Sequence, residues 1–500
     1  MPKQKQFLQA KKKTDGKKKS EGPKTANEYL AAGVDYEEAG EKWRAGDAAK
    51  SLRFFLRAID TYDAAIQKFP HSFDLAYNKA RLQYEVAQQP RLLAHLSTPL
   101  FDLLQVALDS HRFALKIDQD NPDLLFNTAQ VLTSLAENLS EGRAPVNDRR
   151  NEALRLFQEA LELFQRCLNV QEYKFTQAQE DAAQEVAFPS DADNTDVAPS
   201  SGNESNASEE EVWAAVEEPI TTDTLLDTTI AQLDTLTEIC SLGSSHTRND
   251  LAWIEEYYRT ELQGKIDSYN NESDRKHEVA LSKANFISSI SDAAFRAGKL
   301  DRLTYERELT AAFSHHDLDL NKDPQGLCDK ADAHLSFNSS VQQEEQANEL
   351  AQTGSICWKH ITKALDSLTA ASKLPDAQNL PRIHLRRGDC ELLRLFLGEA
   401  HLRYDLAIES ASTLLKNAEV YFRGAAALAK SSGDVANELK EAEVKEAIVM
   451  ALADDPQRLG LLIKAQWKEI GAIVAEMKDE GLLGDEALQK IEVLFGPQFG

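Results

Sequence analysis

The feature that most constrains the fold is an alternation of small and large side chains at helical spacing. It first runs from Ser51 to Ala65 in steps of four and three positions, and it recurs in three later segments. Such steps place each set on one face of an α-helix, where the small residue lets a neighbouring helix approach closely. A chain with several such faces is predicted to be a stack of helices. The sets are Ser51, Phe55, Ala58, Tyr62 and Ala65; Ala107, His111 and Ala114; Ala153, Phe157, Ala160 and Phe164; and Ala411, Leu415, Ala418, Phe422 and Ala425.

The distribution of proline also favours helices. No proline lies between Pro219 and Pro324 or between Pro381 and Pro456, and a proline inside a helix costs ~3 kcal/mol. Ala, Leu, Glu, Gln and Lys dominate, while strand-like alternation is nearly absent, so intrinsic propensity agrees. Beyond residue 219 the pattern predicts helices at 222–241, 250–270, 277–297, 303–315, 342–374, 381–396, 404–430, 435–453, 456–479 and 485–494.

A second signature separates the first helical faces. An aromatic-Asn-x-Ala motif follows a proline at Tyr77–Ala80 and again at Phe126–Ala129. An earlier helix, 36–45, ends at Gly46-Asp47, where the pattern predicts a helix stop and restart. The order is therefore a first helix, a turn, a second helix with the small-large-small face, and then a proline before the next first helix.

This arrangement resembles the tetratricopeptide repeat (TPR) superfamily. Gly40 and Trp43 stand where the family's first helix has its glycine and aromatic, Gly46 matches the turn glycine, and Pro70 matches the closing proline. The match is good over 33–135 and weaker to about residue 170. The 24 residues from Gly46 to Pro70 exceed the spacing of about 17 in the usual repeat of roughly 34 residues. The chain thus resembles a degenerate, extended member, with a fungal relative expected.

The resemblance implies an all-α fold, a TPR-like α-solenoid of about eight antiparallel helix pairs with a concave surface for a partner.

The distribution of charge divides the chain into further segments. The net charge is −26, whereas residues 1–25 carry nine lysines against two acids, and no Lys or Arg lies between Lys174 and Arg248. We predict a disordered basic tail over 1–27, N-terminal repeats over 28–175, an acidic disordered insert over 176–218 and C-terminal repeats over 219–500. The insert is either a tolerated loop or an arm that shields a basic client.

Four polar residues on the predicted first helices are candidates for a partner-binding groove. Asn78 and Asn127 either hydrogen-bond the backbone of an extended peptide or bond neighbouring helices. Some TPR domains hold the carboxylate terminus of heat-shock proteins with a Lys-Asn-Arg clamp. In this chain Glu37 and Glu41 stand where that clamp needs Lys and Asn, and Asn127 stands where it needs Arg. Acidic side chains repel a carboxylate, so a heat-shock co-chaperone is the weakest of the partner hypotheses.

The basic tail contains two lysine clusters that are candidates for a nuclear import signal. Such clusters also contact RNA weakly or remain merely solvated, but the acidic body disfavours RNA. Five widely spaced cysteines without a CxxC pair fit a reducing compartment, and the sequence has neither a secretory h-region nor an apolar membrane-spanning run. We expect nuclear or cytoplasmic localisation, or both. The clusters are Lys11, Lys12 and Lys13, and Lys17, Lys18 and Lys19.

Motifs for catalysis and metal binding are weak. The sequence has no GxSxG elbow, P-loop or HExxH motif. His315-His316-Asp317 invites a metal interpretation, and the acids up to Asp323 mimic an EF-hand loop. That loop needs Gly at its sixth position and an acid at its twelfth, where this chain has Lys322 and Cys328. We therefore expect no enzyme activity, no metal and no cofactor.

The hypothesis that follows is a protein-binding scaffold, adaptor or dedicated chaperone or assembly factor. A body with a net charge of −33 beyond residue 25 favours a basic client, such as a ribosomal or other nucleic-acid-binding protein. The alternative is a structural subunit of a stable multiprotein complex. Direct binding to nucleic acid or to a membrane is not expected.

Overall fold

A computed structural model describes residues 22–140, 147–187, 219–242, 248–343, 350–399, 402–432, 436–464 and 470–495. Within these ranges the chain forms helices joined by turns and contains no strand, so the all-α prediction is confirmed. The lysine clusters of the predicted tail, and residues 188–218 of the predicted insert, lie outside the described residues. Helix α7 (Asn147–Ala187) continues past residue 176, where we predicted the insert to begin.

The chain divides into two compact units, of which the first comprises residues 1–140, 149–235 and 265–273. This division differs from the predicted boundary at 176–218, because residues 219–235 belong to the first unit. Besides α7, the first unit contains α1 (Ala26–Arg44), α2 (Ala48–Ile66), α3 (Phe73–Ala87), the single turn α4 (Pro90–Leu93), α5 (Leu100–Ile117), α6 (Pro122–Ser140), most of α8 (Thr222–Leu242) and most of α10 (Gln263–Glu272).

The second unit comprises residues 141–148, 236–264 and 274–500. Helix α13, at Pro324–Gln343, is absent from our predictions, and the helix predicted at 456–479 is described as two. The helices from α9 onward are α9 (Arg248–Tyr257), continued through a π-helical turn (Tyr258–Leu262) into α10 (Gln263–Glu272), most of which belongs to the first unit, then α11 (Lys276–Arg296), α12 (Arg302–Ala312), α13 (Pro324–Gln343), α14 (Leu350–Ala371), α15 (Leu380–Phe396), α16 (Asp405–Ser432), α17 (Ala436–Leu452), α18 (Gln457–Lys464), α19 (Ile470–Asp479) and α20 (Asp485–Phe495).

Local sequence explains how the first pair begins and turns. Thr25 caps α1, since its hydroxyl accepts from the Glu28 amide while the Glu28 carboxylate accepts from the Thr25 amide. Asp47 caps α2 by accepting from the Lys50 amide at 2.8 Å. The predicted stop and restart at Gly46-Asp47 is therefore the turn between two helices, and such a short connection makes them antiparallel neighbours.

Glycines on the first helices let aromatic rings of the second helices pack against the backbone. A Cβ atom on Gly33 would lie 2.2 Å from a ring carbon of Tyr62, and one on Gly40 would lie 2.5 Å from Phe55. The Ser51 hydroxyl donates to the Gly40 carbonyl at 2.8 Å. The alternating face of α2 thus allows α1 to pack closely against it, as the sequence predicts. All five of its predicted residues are buried.

The same packing recurs in the later pairs. In the second unit, Gly388 of α15 lies under Phe422 of α16, where a Cβ atom would be 2.4 Å from the ring. The faces predicted on α5 and α7 are buried, as are Ala418 and Phe422, whereas Ala411 and Leu415 are half-buried. Helices thus pack chiefly against their neighbours in sequence within each unit, as in a helical repeat.

Ion pairs join successive first helices within each unit. Arg81 of α3 pairs with Glu37 of α1, 44 positions earlier. In the second unit, Lys445 of α17 pairs with Asp389 of α15, 56 positions earlier. Helix α3 begins 47 residues after the start of α1, and α17 begins 56 residues after the start of α15. Both spacings exceed the roughly 34 residues of a regular TPR.

Candidate partner-binding cleft

The two asparagines predicted to face a groove have partners within the protein. Asn127 is 2 % exposed, and its amide nitrogen donates to the Tyr77 hydroxyl at 3.2 Å. Asn78 is also buried, and its amide donates to the Asp74 carbonyl at 2.8 Å, within its own helix. These contacts favour the alternative in which the amides serve packing. A peptide-binding role for them stays a prediction.

The two glutamates predicted beside them belong to a cluster of acids and guanidinium groups that joins α1 to α3. Glu37 is buried, accepts from the Tyr62 hydroxyl at 2.6 Å and pairs with Arg81. Glu41 pairs with Arg44 at 3.1 Å. Loss of water raises the pKa of the Glu41 carboxyl, and together with the neighbouring acids it outweighs the lowering effect of Arg44. The cluster comprises Glu37, Glu41, Arg44, Tyr62, Arg81 and Glu85.

A cleft opens on the surface of the second unit. This cleft has a volume of about 640 Å³ and is formed by α13, α15 and the turn after α19, a volume within the range of ligand sites. One face of α15 lines it at 4-3-4-3 spacing, and one face of α13 lines the opposite side. The lining residues are Arg382, Arg386, Asp389, Leu393 and Phe396 of α15; Asp332, Leu335, Asn338, Ser339, Gln342 and Gln343 of α13; and residues 478–482 of the turn.

Apolar and amide groups form much of the cleft surface. Leu335, Leu393 and Phe396 are half-buried and present apolar surface. The buried Asn338 accepts from the Gln342 amide at 3.0 Å, and Gln343 is exposed. Side-chain amides carry both donors and acceptors. The cleft therefore combines apolar contact surface with groups that can hydrogen-bond a peptide backbone.

A buried ion-pair network lies beside the cleft and joins α15 to α17. The Lys445 ammonium is 2 % exposed and lies 2.8 Å from Asp389 and 2.9 Å from Glu441. Glu441 also accepts from the Arg382 guanidinium at 2.9 Å. Burial by itself lowers the pKa of Lys445, but the attraction of the two carboxylates outweighs it and raises that pKa. The network holds the α15 face in a fixed position.

The charge balance of the cleft is negative. Burial lowers the pKa of Arg382, yet four carboxylates, led by Glu441 and Asp389, raise it overall. The C-terminal end of α19 also lines the cleft, and the carbonyl end of a helix carries partial negative charge. Four carboxylates and three cations line the cleft. The carboxylates are Asp332, Asp389, Asp479 and Glu480, and the cations are Arg382, Arg386 and Lys478.

The predicted EF-hand mimic serves a different purpose. Asp323 caps α13 by accepting from the Gly326 amide at 2.9 Å, and it also lies 2.9 Å from His277. Asp319 accepts from the Asn321 amide at 3.2 Å. These acids therefore stabilise a turn and a helix start. His315, His316 and Asp317 lie close together, and both histidines are exposed.

Cysteine burial bears on nucleophilic chemistry. Four of the five cysteines are buried, and burial raises the thiol pKa of each to about 12. A thiolate is disfavoured at such sites, so these residues suit packing rather than nucleophilic attack. They are Cys167, Cys240, Cys357 and Cys390.

No helix in the described ranges combines the length and the apolar character needed to cross a bilayer.

The cleft could not be predicted from the sequence because α13 was not predicted. That segment is a poor helix former by intrinsic propensity, because it contains Ser336, Asn338, Ser339 and Ser340. Tertiary contacts compensate, since the Ser340 hydroxyl donates to Asp292 of α11 at 2.5 Å. The 4-3-4-3 face of α15, with three charged residues followed by two apolar ones, is visible in the sequence and is the available signal.

Comparisons with known proteins give a distant relative and two helical structures. No model of a known protein family matches the chain. It is 27 % identical over 426 residues to the UPF0656 protein C926.02 of Schizosaccharomyces pombe, covering 83 % of this chain and 86 % of the relative. A circular tandem repeat protein aligns over 91 % of this chain and 99 % of its own length, with 12 % identity and a TM-score of 0.28. Yeast Tom70 aligns over 93 % and 95 %, with 12 % identity and a TM-score of 0.17. Such low scores do not fix the arrangement of the helices, so the helical-repeat assignment stands on the chain's own packing.

Proposed function

We propose that this protein is a helical-repeat scaffold that binds a segment of a basic client protein, as a dedicated chaperone, adaptor or assembly factor. The cleft between α13 and α15 is the observation that carries the proposal. It offers apolar side chains, side-chain amides and an excess of carboxylates on one surface. An extended or helical segment with apolar and basic residues matches all three properties.

Charge supports the choice of a basic client. The cations that line the cleft largely pair with acids, since Arg386 donates to Asp332 at 2.8 Å and Arg382 donates to Glu441. The net charge of −26 attracts a basic partner over a longer range and accelerates its encounter at low salt. A ribosomal or other nucleic-acid-binding protein has the required charge. The client would meet the scaffold in the nucleus or the cytoplasm, the nucleus if the lysine clusters act as an import signal.

A pair of substitutions on α13 tests the proposal. Ser339 and Ser336 are both exposed on that helix, but Ser339 lines the cleft and Ser336 does not. Ser339→Arg introduces bulk and positive charge into the cleft, whereas Ser336→Arg introduces the same group outside it. Tagged wild type and both variants would be purified from native cells at low salt, and co-purifying proteins would be quantified by mass spectrometry.

We expect strongly basic proteins to co-purify with wild type and Ser336→Arg and to be depleted with Ser339→Arg. A high-salt wash should also remove them, because charge pairing at an exposed surface is screened. Equal recovery with both variants would contradict a client site in this cleft. A fixed set of neutral, salt-resistant partners would instead support the structural-subunit alternative.

A further inference from the structure

A second cleft lies in the first unit, between α2, α3 and α5. It has a volume of about 390 Å³, and Ile66, Ala76, Val106 and Phe113 give it a mostly apolar lining. Val106 is 50 % exposed and Phe113 is 37 % exposed. These two residues are seven positions apart on α5 and therefore share one helix face. Burying such surface against an apolar occupant is favourable.

The polar residues of this cleft leave it with a negative mouth. Lys79 lines the cleft, but its ammonium lies 2.5 Å from the Asp63 carboxylate. Asp109 lines the cleft as well and is exposed. The charge of Lys79 is thus neutralised locally, while that of Asp109 is directed to solvent. An occupant with apolar side chains followed by basic ones fits this combination.

The N-terminal segment of the chain has this composition. Residues 1–21 contain the large apolar pair Phe7-Leu8, which Lys11, Lys12 and Lys13 follow closely. The segment carries eight lysines against two acids. It lies outside the described residues, and its sequence matches the chemistry of the cleft in order as well as in kind.

The place where this segment joins the fold lies beside the cleft. Tyr29, in the first turn of α1, contacts the Phe69 ring at a centroid distance of 6.4 Å, and Ile66, three residues before Phe69, lines the cleft. The 14 residues from Leu8 to Gly22 can span up to about 45 Å when extended. A helix of the length of α2 spans only about 28 Å. The segment can therefore reach any part of the cleft from its point of attachment.

We propose that Phe7 and Leu8 of the chain's own N-terminal segment occupy the cleft between α2, α3 and α5, with the adjacent lysines at its acidic mouth. Docking holds Lys11, Lys12 and Lys13 against the protein surface. A receptor that recognises those lysines then competes with the cleft for them. The inference concerns the first unit and does not depend on client binding in the second.

Photo-crosslinking in the full-length chain tests this proposal. A benzophenone amino acid replaces Phe7, and a control chain carries it at Thr14. We expect the residue-7 probe to crosslink within one chain to the α5 peptide that contains Val106 and Phe113. Val106→Asp should abolish this product, whereas Val493→Asp should not, because Val493 is 81 % exposed in the second unit. Crosslinks scattered over the surface, or found only in covalent dimers, would overturn the proposal.

A second measurement leaves the folded helices unaltered. Phe7→Ser/Leu8→Ser changes only the segment outside the described fold, so loss of folding does not confound it. Hydrogen–deuterium exchange followed by mass spectrometry should show faster exchange in α5 of this variant than in wild type. Thr14→Ser is the control and should exchange as wild type does. Unchanged α5 exchange in Phe7→Ser/Leu8→Ser would mean that the pair does not occupy the cleft.

Discussion

At the scale of single residues, the fold depends on glycines at positions where no larger side chain would fit. Gly33, Gly40 and Gly388 each lie under an aromatic ring of the partner helix, at distances that no Cβ atom tolerates. Glycine weakens a helix by about 1 kcal/mol relative to alanine, so its presence there needs a packing reason. The rings supply that reason.

We therefore expect Gly388→Ala to destabilise the protein. The overpacking against Phe422 costs about 1–3 kcal/mol, which exceeds the gain in helix propensity. A Cβ atom on Gly471 of α19 would meet no neighbouring atom within 4 Å, so Gly471→Ala should stabilise slightly. Thermal unfolding followed by circular dichroism would compare the two. If Gly388→Ala melted at or above the wild-type temperature, close packing would not explain the glycine, and recovery in Gly388→Ala/Phe422→Leu would strengthen the explanation.

His111 gives a pH-dependent prediction. It is fully buried, and burial lowers its pKa to about 4. Below its ordinary pKa of about 6.5 the unfolded chain binds the proton and the folded chain does not, so stability falls as pH drops towards 4. From pH 6.5 to pH 5 this contribution is about 2 kcal/mol. Denaturant unfolding at pH 7 and pH 5, monitored by tryptophan fluorescence, should show a smaller loss of stability in His111→Leu than in wild type. The exposed His71→Leu serves as control, and an unchanged pH dependence in His111→Leu would contradict the assignment.

At the scale of helices, sequence patterns succeeded where one helix face carries its own signal. The sequence predicts the buried face of α2, because small and large residues alternate with the helical period at Ser51, Phe55 and Ala58. No sequence pattern predicts α13 as a helix, because its serines are stabilised by partners distant in sequence such as Asp292. The π turn at Tyr258–Leu262 likewise leaves no simple pattern. The cleft depends on α13 and on the turn after α19, so its position could not be predicted from any single element.

The network between α15 and α17 yields a prediction at this scale. Lys445→Met leaves Asp389 and Glu441 without their buried cation, and breaking such a pair costs about 3–5 kcal/mol. Lys430 also pairs with α17, lying 2.8 Å from Glu443, but its side chain is 58 % exposed. Lys430→Met should therefore cost less than about 1 kcal/mol. Urea unfolding would measure both changes. Similar effects of the two substitutions would mean that burial does not set the strength of the α15–α17 network.

For the molecule as a whole, the dominant property is charge asymmetry along the chain. Residues 1–21 carry a net charge of +6, so removing them changes the total from −26 to −32. Association of a basic partner is steered by the field of the whole protein and is screened by salt, with a Debye length of ~30 Å at 0.01 M and ~8 Å at 0.15 M. The basic segment reduces that field. Its effect on association should therefore be visible only when screening is weak.

We expect a fluorescent lysine-rich peptide to associate faster with the chain lacking residues 1–21 than with the full chain at low ionic strength. The difference should shrink as salt is added, because the field that causes it is screened. Stopped-flow anisotropy over a salt series would measure both rate constants, with a glutamate-rich peptide as the control for non-specific capture. Equal rates at low salt would show that the segment does not compete for the acidic surface. A rate difference that persists at high salt would require a contact more specific than net charge.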